Sequence, residues 1–587
     1  MKRVIVESMS GYREAVKYIA SNESVIWYTT SSEVFSRLSN SDCHVENLEE
    51  WITEEYFNSI GIDSYNISNS LTSILEDYYK WDKGYIKQVF GWSIQNLSNV
   101  VLYKTVLLDR VVGSSIDSEV LCVGLKSLTP IDNLKLNIER FDTIFSVLAF
   151  NINNPKLGII SHNEDKNKLH KLSDYVKHRK MGFYEKTLSI LNNTASSFMY
   201  KIWRSFYSKT GLFKTVSLSP FPKRNVFVHK DCEFIEESFI KEMINGCSFS
   251  KLQPLPRVAH KNVDRHSDPL IKRRMLEAYK KSVNASIEYS DIIEAGGLMV
   301  VNRVLEVANT LRRNQKHLDE NFSETLISFG SKGELRSNFF THPIEQMFAI
   351  YCRKKGIPIT FYEHGITLGL SRWTKYPAQF WGMQLADVGV YHCIHSINQL
   401  QPWIKNQKTI IRGLPITTRK INFIFLQNFL TRKWLNLPSN KQVVVYVADL
   451  ERNNYIYGPY QENDYQFFST TKAILLDLSK RYCDHIILLK LYPTHRYPES
   501  VKFTDLIKEI PNLKVVKDMD FRYLRSAVNV IALSSSQSTL GWVLGSNANV
   551  VFYEKKANPS NLSGEILTAD VDGVSRVFNL NKESVCA

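Results

Sequence analysis

No stretch of this chain approaches the roughly 20 consecutive apolar residues of a membrane helix, so no segment reads as a span. The opening Met1-Lys2-Arg3-Val4-Ile5-Val6-Glu7 lacks the apolar core of a signal peptide and reads as a first strand. A cytoplasmic protein is expected, at most peripheral on the inner face of a membrane. Cysteine is sparse: eight residues, at 43, 122, 232, 247, 352, 393, 483 and 586, form no Cys-x-x-Cys pair and have no histidine at zinc-site spacing. That excludes a disulfide scaffold and a structural zinc module, and fits free thiols in a reducing compartment. Gly-x-Gly-x-x-Gly and Gly-x-x-x-x-Gly-Lys-Ser/Thr are also missing, which argues against dinucleotide oxidoreductases and P-loop NTPases. No metal and no cofactor are expected, because cationic side chains and helix N–H groups can hold an anion by themselves.

Acidic residues are in deficit: 59 Asp and Glu against 73 Lys and Arg leave a net charge of +14. The partner should therefore be anionic, whether nucleic acid, a phospholipid surface or an acidic substrate. Nucleic acid is not expected, since the cations are scattered and no RRM, KH or helix-turn-helix pattern occurs. What the chain has in quantity is aromatic surface, with 29 Tyr and 31 Phe, which fills cores and also lines grooves that hold sugars or bases. At 587 residues it is too long for one core, and two to four domains are expected.

Strands at Arg3 to Val6, Ser24 to Tyr28 and Ser118 to Gly124 bracket helical stretches and suggest an α/β unit. Two polar regions follow, Ser161 to Lys180 with His162, His170 and His178, and Lys251 to Arg273 with Pro254, Pro256 and Pro269; both read as solvated loops or linkers. Regular alternation then sets in. Ala295-Gly296-Gly297 leads into a helix through about Asn314, Thr325 to Phe329 reads as a strand, Pro343 to Lys355 as a helix, and Ile357 to Tyr362 as a strand. Ala386 to Tyr391 and Lys408 to Ile411 complete this series, and Gly413-Leu414-Pro415 breaks it. A second series has strands at Gln442 to Val447, His485 to Lys490, Leu513 to Val516, Val528 to Leu533 and Asn549 to Tyr553. Such alternation predicts parallel sheets with crossover helices.

Open parallel sheets bind ligands at the carboxyl ends of their strands. Three clusters fall there. Lys490, Tyr492 and His495 share the loop that also carries Arg496 and suits a diphosphate or a nucleotide monophosphate. Ser534, Ser535, Ser536, Gln537, Ser538 and Thr539 fill a strand-to-helix junction, where free N–H groups and hydroxyls favour phosphate; plain N-capping is the bland alternative. Glu363-His364-Gly365 puts an acid, an imidazole and a flexible turn at the end of the Ile357 to Tyr362 strand.

The order of these motifs resembles that of glycosyltransferases of the GT-B type, in which two Rossmann-like halves face each other across a cleft. In bacterial surface-polysaccharide members a His-Gly turn ends the N-terminal half, as His364-Gly365 does. A Gly-x-Pro-like break, a Lys-x-His-Pro-like loop and a Ser/Thr junction follow, as here with Gly413 to Pro415, Lys490 to His495 and Ser534 to Thr539. The resemblance covers about Thr325 to Tyr553 and is closest to enzymes that use CMP-activated acid sugars, the sialyl- and Kdo transferases. It departs from them in Tyr492, where the family has His, and in Val447-Ala448-Asp449-Leu450-Glu451, which lacks a Gly-rich loop.

The resemblance implies an α/β GT-B fold with a large N-terminal elaboration, residues 1–405 forming the acceptor-side domain and 406–587 the nucleotide-sugar domain. It further implies transfer of a sugar such as Kdo or another ulosonate from a nucleotide donor to a growing capsule or lipopolysaccharide glycan, free or lipid-linked. Glu363 and His364 are the candidate catalytic pair, with Asp449 and Glu451 in reserve; the bland alternative makes Glu363 an acid that fixes its turn. UDP-, GDP- or dTDP-sugar donors stay open, as does a non-catalytic protein that binds glycan or nucleic acid.

Overall fold

The computed structural model describes the chain except residues 21–22, 40, 42, 115–117, 127–135, 137–143, 153, 162–182, 192–193, 211–214, 220–221, 231, 253–254, 256–267, 285–286, 328–332, 341, 364, 366–382, 402–403, 405, 415–420, 422, 449–463, 492–501, 517–518, 535–538, 557–559, 561 and 587. Three sheets organise the described residues. The first has the parallel order β3-β2-β1-β4-β5, from β1 (Lys2–Ile5), β2 (Val25–Thr29), β3 (Val45–Asn47), β4 (Glu119–Gly124) and β5 (Leu157–Ser161). Side chains alternate along a strand. Val4 and Val6 therefore pack on one side with Val34 of α2 (Ser32–Ser39) and Ala15 of α1 (Met9–Tyr18), while Ile5 and Tyr28 face the other.

That other side meets a helical layer. It consists of α3 (Glu54–Tyr79), α4 (Tyr85–Gly113) and α5 (Ile144–Phe150), joined from later in the chain by α9 (Pro269–Ser282) and α10 (Ser290–Ile327). Between them lie α6 (Phe183–Leu191), α7 (Ala195–Thr210) and α8 (Glu233–Ile244). Asp268 caps α9 and Pro269 opens it, the arrangement a helix start favours. Gly296 and Gly297 lie inside α10, where an added Cβ would sit 2.7 Å from Thr105 Oγ1 of α4 or 2.6 Å from Leu276 of α9. The glycine pair permits close helix approach and does not mark a helix start as expected.

The middle sheet has the order β12-β11-β10-β9-β7-β8-β6. Its strands are β6 (Thr215–Val216), β7 (Arg224–Val228), β8 (Cys247–Lys251), β9 (Gly333–Ser337), β10 (Ile359–Tyr362), β11 (Val388–Tyr391) and β12 (Lys408–Ile411), all parallel except β6. Helices α11 (Pro343–Lys354) and α12 (Ile394–Leu400) link β9 to β10 and follow β11. His342 and Glu345 form a capping box at the start of α11. One buried cluster runs from Ile5 and Cys122 of the first sheet through Leu97, Tyr103 and Val300 to Leu335, Phe361 and Tyr391 of the middle sheet, so these two units share a core. An N-terminal block ending at residue 405 leaves out β12, which pairs in register with β11 and closes the middle sheet.

The expected strand at Thr325 to Phe329 is corrected by the structure: α10 continues to Ile327 and the strand is β9, from Gly333. Leu318, Phe322 and Leu326 recur every four residues against the core, and that helical period outweighs the β-propensity of Thr, Ile and Phe.

The C-terminal sheet has the order β15-β14-β13-β16-β17-β19-β18. Its parallel part is β13 (Val443–Val447), β14 (Ile486–Lys490), β15 (Leu513–Val516), β16 (Val530–Leu533) and β17 (Asn549–Lys555); β18 (Gly564–Thr568) and β19 (Val574–Leu580) extend it antiparallel. All five residues of β13 are buried, as a central strand covered on both faces requires. Val444 and Tyr446 pack with Ile474 of α14 (Asp464–Arg481) and Leu506 of α15 (Lys502–Glu509). Val443, Val445 and Val447 pack with Leu430 of α13 (Ile424–Trp434), Tyr523 of α16 (Phe521–Leu524) and Val543 of α17 (Leu540–Leu544). A last helix, α18, covers Lys582–Cys586. The expected α/β class with Rossmann-like parallel sheets is therefore observed. Cys393 and Leu414, at the end of the middle unit, join the buried cluster of the C-terminal unit, so the two units touch. No helix among the described residues is long and apolar enough to cross a membrane.

Candidate functional site

In the C-terminal sheet the chain runs from β13 outward to β14 and β15, then returns to the other side of β13 as β16. The crevice of such a sheet opens at that reversal, outside the carboxyl ends of β13 and β16. Ser534 lies there, immediately after β16, buried and with its hydroxyl 2.7 Å from the Tyr446 hydroxyl. Lys490 ends β14, also buried, and its ammonium donates to the Leu491 carbonyl. Thr539 is the N-cap residue of α17. These are the described members of the expected donor set. Tyr492, His495, Ser535, Ser536, Gln537 and Ser538 lie outside the described residues, as do His364, Asp449 and Glu451 and the histidines of the 161–180 run.

Beside Lys490 and Ser534 the structure adds a group that the motif reading missed. Asp520 caps α16, accepting from the Arg522 N–H at 2.9 Å and from its guanidinium at 2.7 and 2.9 Å. Burial works against the Asp520 charge, but Arg522, with help from Lys490, holds this carboxyl below its ordinary range. Burial likewise works against the Arg522 cation, and Asp520 more than offsets it. One turn on, Arg525 is only 2% exposed; burial and then repulsion from Arg522 bring its pKa down to about 10. Both guanidiniums lie over the Trp542 ring, at 5.5 Å for Arg522 and 4.8 Å for Arg525.

The middle unit faces this group with Glu233, the first residue of α8, which follows β7 at its carboxyl end. Burial pushes the Glu233 carboxyl up to about 7, with Arg522 opposing and the neighbouring Glu236 and Glu237 adding to the rise. A carboxyl that titrates near neutrality, across from a half-buried and a buried guanidinium, suits proton transfer next to a bound anion.

Glu363 is placed differently. It is 2% exposed at the end of β10, and its two oxygens accept from the His392 N–H at 2.7 Å and the Ser396 hydroxyl at 2.6 Å. It thereby ties β10 to the turn between β11 and α12. Burial pushes its pKa up to about 8, with the two hydrogen bonds opposing. Gly365 has φ +77°, the left-handed conformation that a glycine turn supplies. Where the middle sheet reverses, between β7 and β9, the Glu345 carboxylate receives His229 at 3.3 Å and Lys230 at 3.0 Å. Burial would raise the Glu345 carboxyl, but the His229 hydrogen bond, these charges and the His342 N–H hold it well below its usual range.

The sequence carries two Asp-x-Asp pairs, Asp518-Met519-Asp520 and Asp570-Val571-Asp572. Among the described residues no group of three or more His, Cys, Asp or Glu side chains is placed to hold a metal ion.

The Asp520-x-Arg522-x-x-Arg525 spacing after the Leu513–Val516 strand was a readable signal, since residues three apart share one helix face. Nothing local in the sequence points to Glu233 or Trp542.

No protein-family profile and no curated protein matches the chain. Among solved structures it is similar to UDP-GlcNAc 2-epimerase from Neisseria meningitidis bound to UDP-GlcNAc, at 13% identity over 56% of this chain and 82% of that one, with a TM-score of 0.33. It is also similar to Anabaena Alr3699/HepE in complex with UDP, at 12% identity over 56% of this chain and 79% of that one, with a TM-score of 0.31.

Proposed function

We propose that the chain is a glycosyltransferase that binds a nucleotide sugar at the carboxyl edge of its C-terminal sheet and passes the sugar to a glycan of the bacterial surface. The observation that carries this reading is the Arg522–Arg525 pair. Two guanidiniums are held together over one indole, Arg522 on the Asp520 carboxylate and Arg525 almost fully buried, and planar guanidiniums match phosphate oxygens in bidentate fashion. Ser534 and Lys490 border the same edge, and Tyr492, His495 and Ser535 to Ser538, which follow them in the sequence, complete the proposed donor set.

Glu233 is the proposed base. It faces the arginines from the other unit and gains its proton near neutral pH, so it can take a proton from an acceptor hydroxyl while the phosphate leaves toward the guanidiniums. Glu363 has both oxygens engaged within its own unit and ranks second. The motif order favours a CMP-activated acid sugar such as Kdo, with UDP-, GDP- and dTDP-sugars as alternatives, and a capsule or lipopolysaccharide acceptor.

The test is a thermal-shift panel of CMP, UDP, GDP and dTDP on the whole protein. A ligand that binds only the native state at about 100 times its Kd stabilises by roughly 2.7 kcal/mol. One nucleotide should raise the melting temperature, and Arg522→Gln should abolish the rise. No shift with any of the four, or an undiminished shift in the variant, sinks the reading.

A further inference from the structure

Helix α13 starts at Ile424, after the break at Gly413-Leu414-Pro415 in the sequence, and carries two opposed faces. Gln427, Leu430 and Thr431 are buried, Leu430 in the cluster of the C-terminal unit and Thr431 through a 3.0 Å hydrogen bond from its hydroxyl to the Tyr523 carbonyl of α16. The opposite face is bare and apolar: Phe425 is 90% exposed, Phe429 59%, Leu426 45%, and Phe423, just before the helix, 71%. Phe425, Phe429 and Lys433 stand four residues apart and make one stripe, which ends in an exposed ammonium. Four large apolar side chains in seven residues, open to water, are far more than the isolated exposed hydrophobics that any surface carries.

The charges that α13 itself carries are of one sign. The helix contains no Asp or Glu, Arg432 and Lys433 lie in its last turn, and Arg419 and Lys420 precede it in the sequence. Lys441, whose ammonium reaches the Asp484 carbonyl at 3.3 Å, and Lys514, bonded to the Leu435 carbonyl, add cations near its C-terminal end. Aromatic and leucine side chains on one face with Lys and Arg at the border are the chemistry of a helix that lies in the interface of an anionic bilayer. A protein partner would need a matching carboxylate rim, whereas an anionic lipid surface supplies both halves of the contact.

We infer that the exposed face of α13 inserts into the headgroup region of an anionic membrane. Because its buried face is fastened to α16, which carries Arg522 and is followed by Arg525, the bilayer then lies next to the proposed donor site. The inference rests on the functional reading only for its consequence, that the acceptor is held at a membrane; the contact itself stands on α13.

Flotation of the whole protein with vesicles tests it without any nucleotide. At low salt the protein should float with phosphatidylcholine vesicles containing phosphatidylglycerol and much less with phosphatidylcholine alone. Phe425→Ser with Phe429→Ser should lower apparent vesicle affinity at least ~10-fold, since both rings are removed from the apolar layer. Lys433→Glu should weaken binding mainly at low salt. Unchanged melting temperature and unchanged nucleotide response in these variants keep the readout separate from folding and from the donor site. A wild type that stays at the bottom of the gradient, or a double Ser variant that floats as well as wild type, overturns the inference. So does a wild-type dimer in light scattering that the double Ser variant converts to a monomer while neither protein floats, because the face is then a contact between copies.

Discussion

Glu363→Gln separates an anchoring acid from a catalytic one, and the structure fixes what the substitution should do. The native carboxyl is buried and its pKa pushed from 4.5 to about 8, so the folded protein keeps its proton where the unfolded chain releases it. Stability linked to this proton is fully present below pH 4.5 and is lost as pH rises toward 8. At about 1.36 kcal/mol per pK unit the loss is about 1 kcal/mol at pH 5 and on the order of 3 kcal/mol at pH 7. Glutamine does not ionise and escapes this loss. It keeps one acceptor for the His392 N–H or the Ser396 hydroxyl and forfeits the other, a pH-independent cost of roughly 1 kcal/mol. The variant should thus match wild type near pH 5 and exceed it by about 2 kcal/mol at pH 7. Urea titrations of both proteins at the two pH values measure the difference, and turnover should stay near wild type. A stability difference that is the same at both pH values refutes the buried, protonated acid. Lost turnover with donor binding and fold intact would place Glu363 in the chemistry and displace Glu233.

Glu233→Gln should lower kcat at least ~100-fold while leaving nucleotide affinity within a few-fold, and should remove the limb near pH 7 from the kcat profile, read by steady-state kinetics across pH. Lys104→Met breaks a buried ion pair in which the ammonium lies 2.6 Å from Glu7 and also donates to the Thr30 hydroxyl. The expected loss is about 3–5 kcal/mol in denaturant titration, and adding Glu7→Gln should recover part of it. At Gly564 a Cβ would stand 1.7 Å from the Asn579 carbonyl oxygen, so Gly564→Ala must push β18 off β19; a loss of roughly 1–3 kcal/mol and faster amide exchange in both strands are expected. Arg525→Gln removes a buried guanidinium stacked on Trp542, so it should weaken nucleotide binding by about 1.5–3 kcal/mol in calorimetry and also lower the melting temperature without ligand.

The sequence by itself determined the pattern of parallel strands and crossover helices, because periodicity and turn residues act over a few neighbouring positions. Lys408–Ile411 and Leu513–Val516 occur as strands with the bounds read from the sequence, and β10, β13 and β14 differ from it by a residue or two. It also pointed to the carboxyl edge of the C-terminal sheet, where Lys490 and Ser534 stand. It misplaced β9 because Thr325 to Ile327 carries strand-like residues, while the i, i+4 burial of Leu318, Phe322 and Leu326 is visible only once the core they meet is known. Tertiary structure alone decided which charges meet. Glu233 and Arg522 lie far apart in the chain yet are close enough in the fold for each to act on the other's charge, and their perturbed pKa values arise from burial and neighbouring charges, which no local spacing encodes. The same holds for α13, whose pattern of Phe and Leu reads as an ordinary core helix until the fold shows which of those side chains the core does not reach.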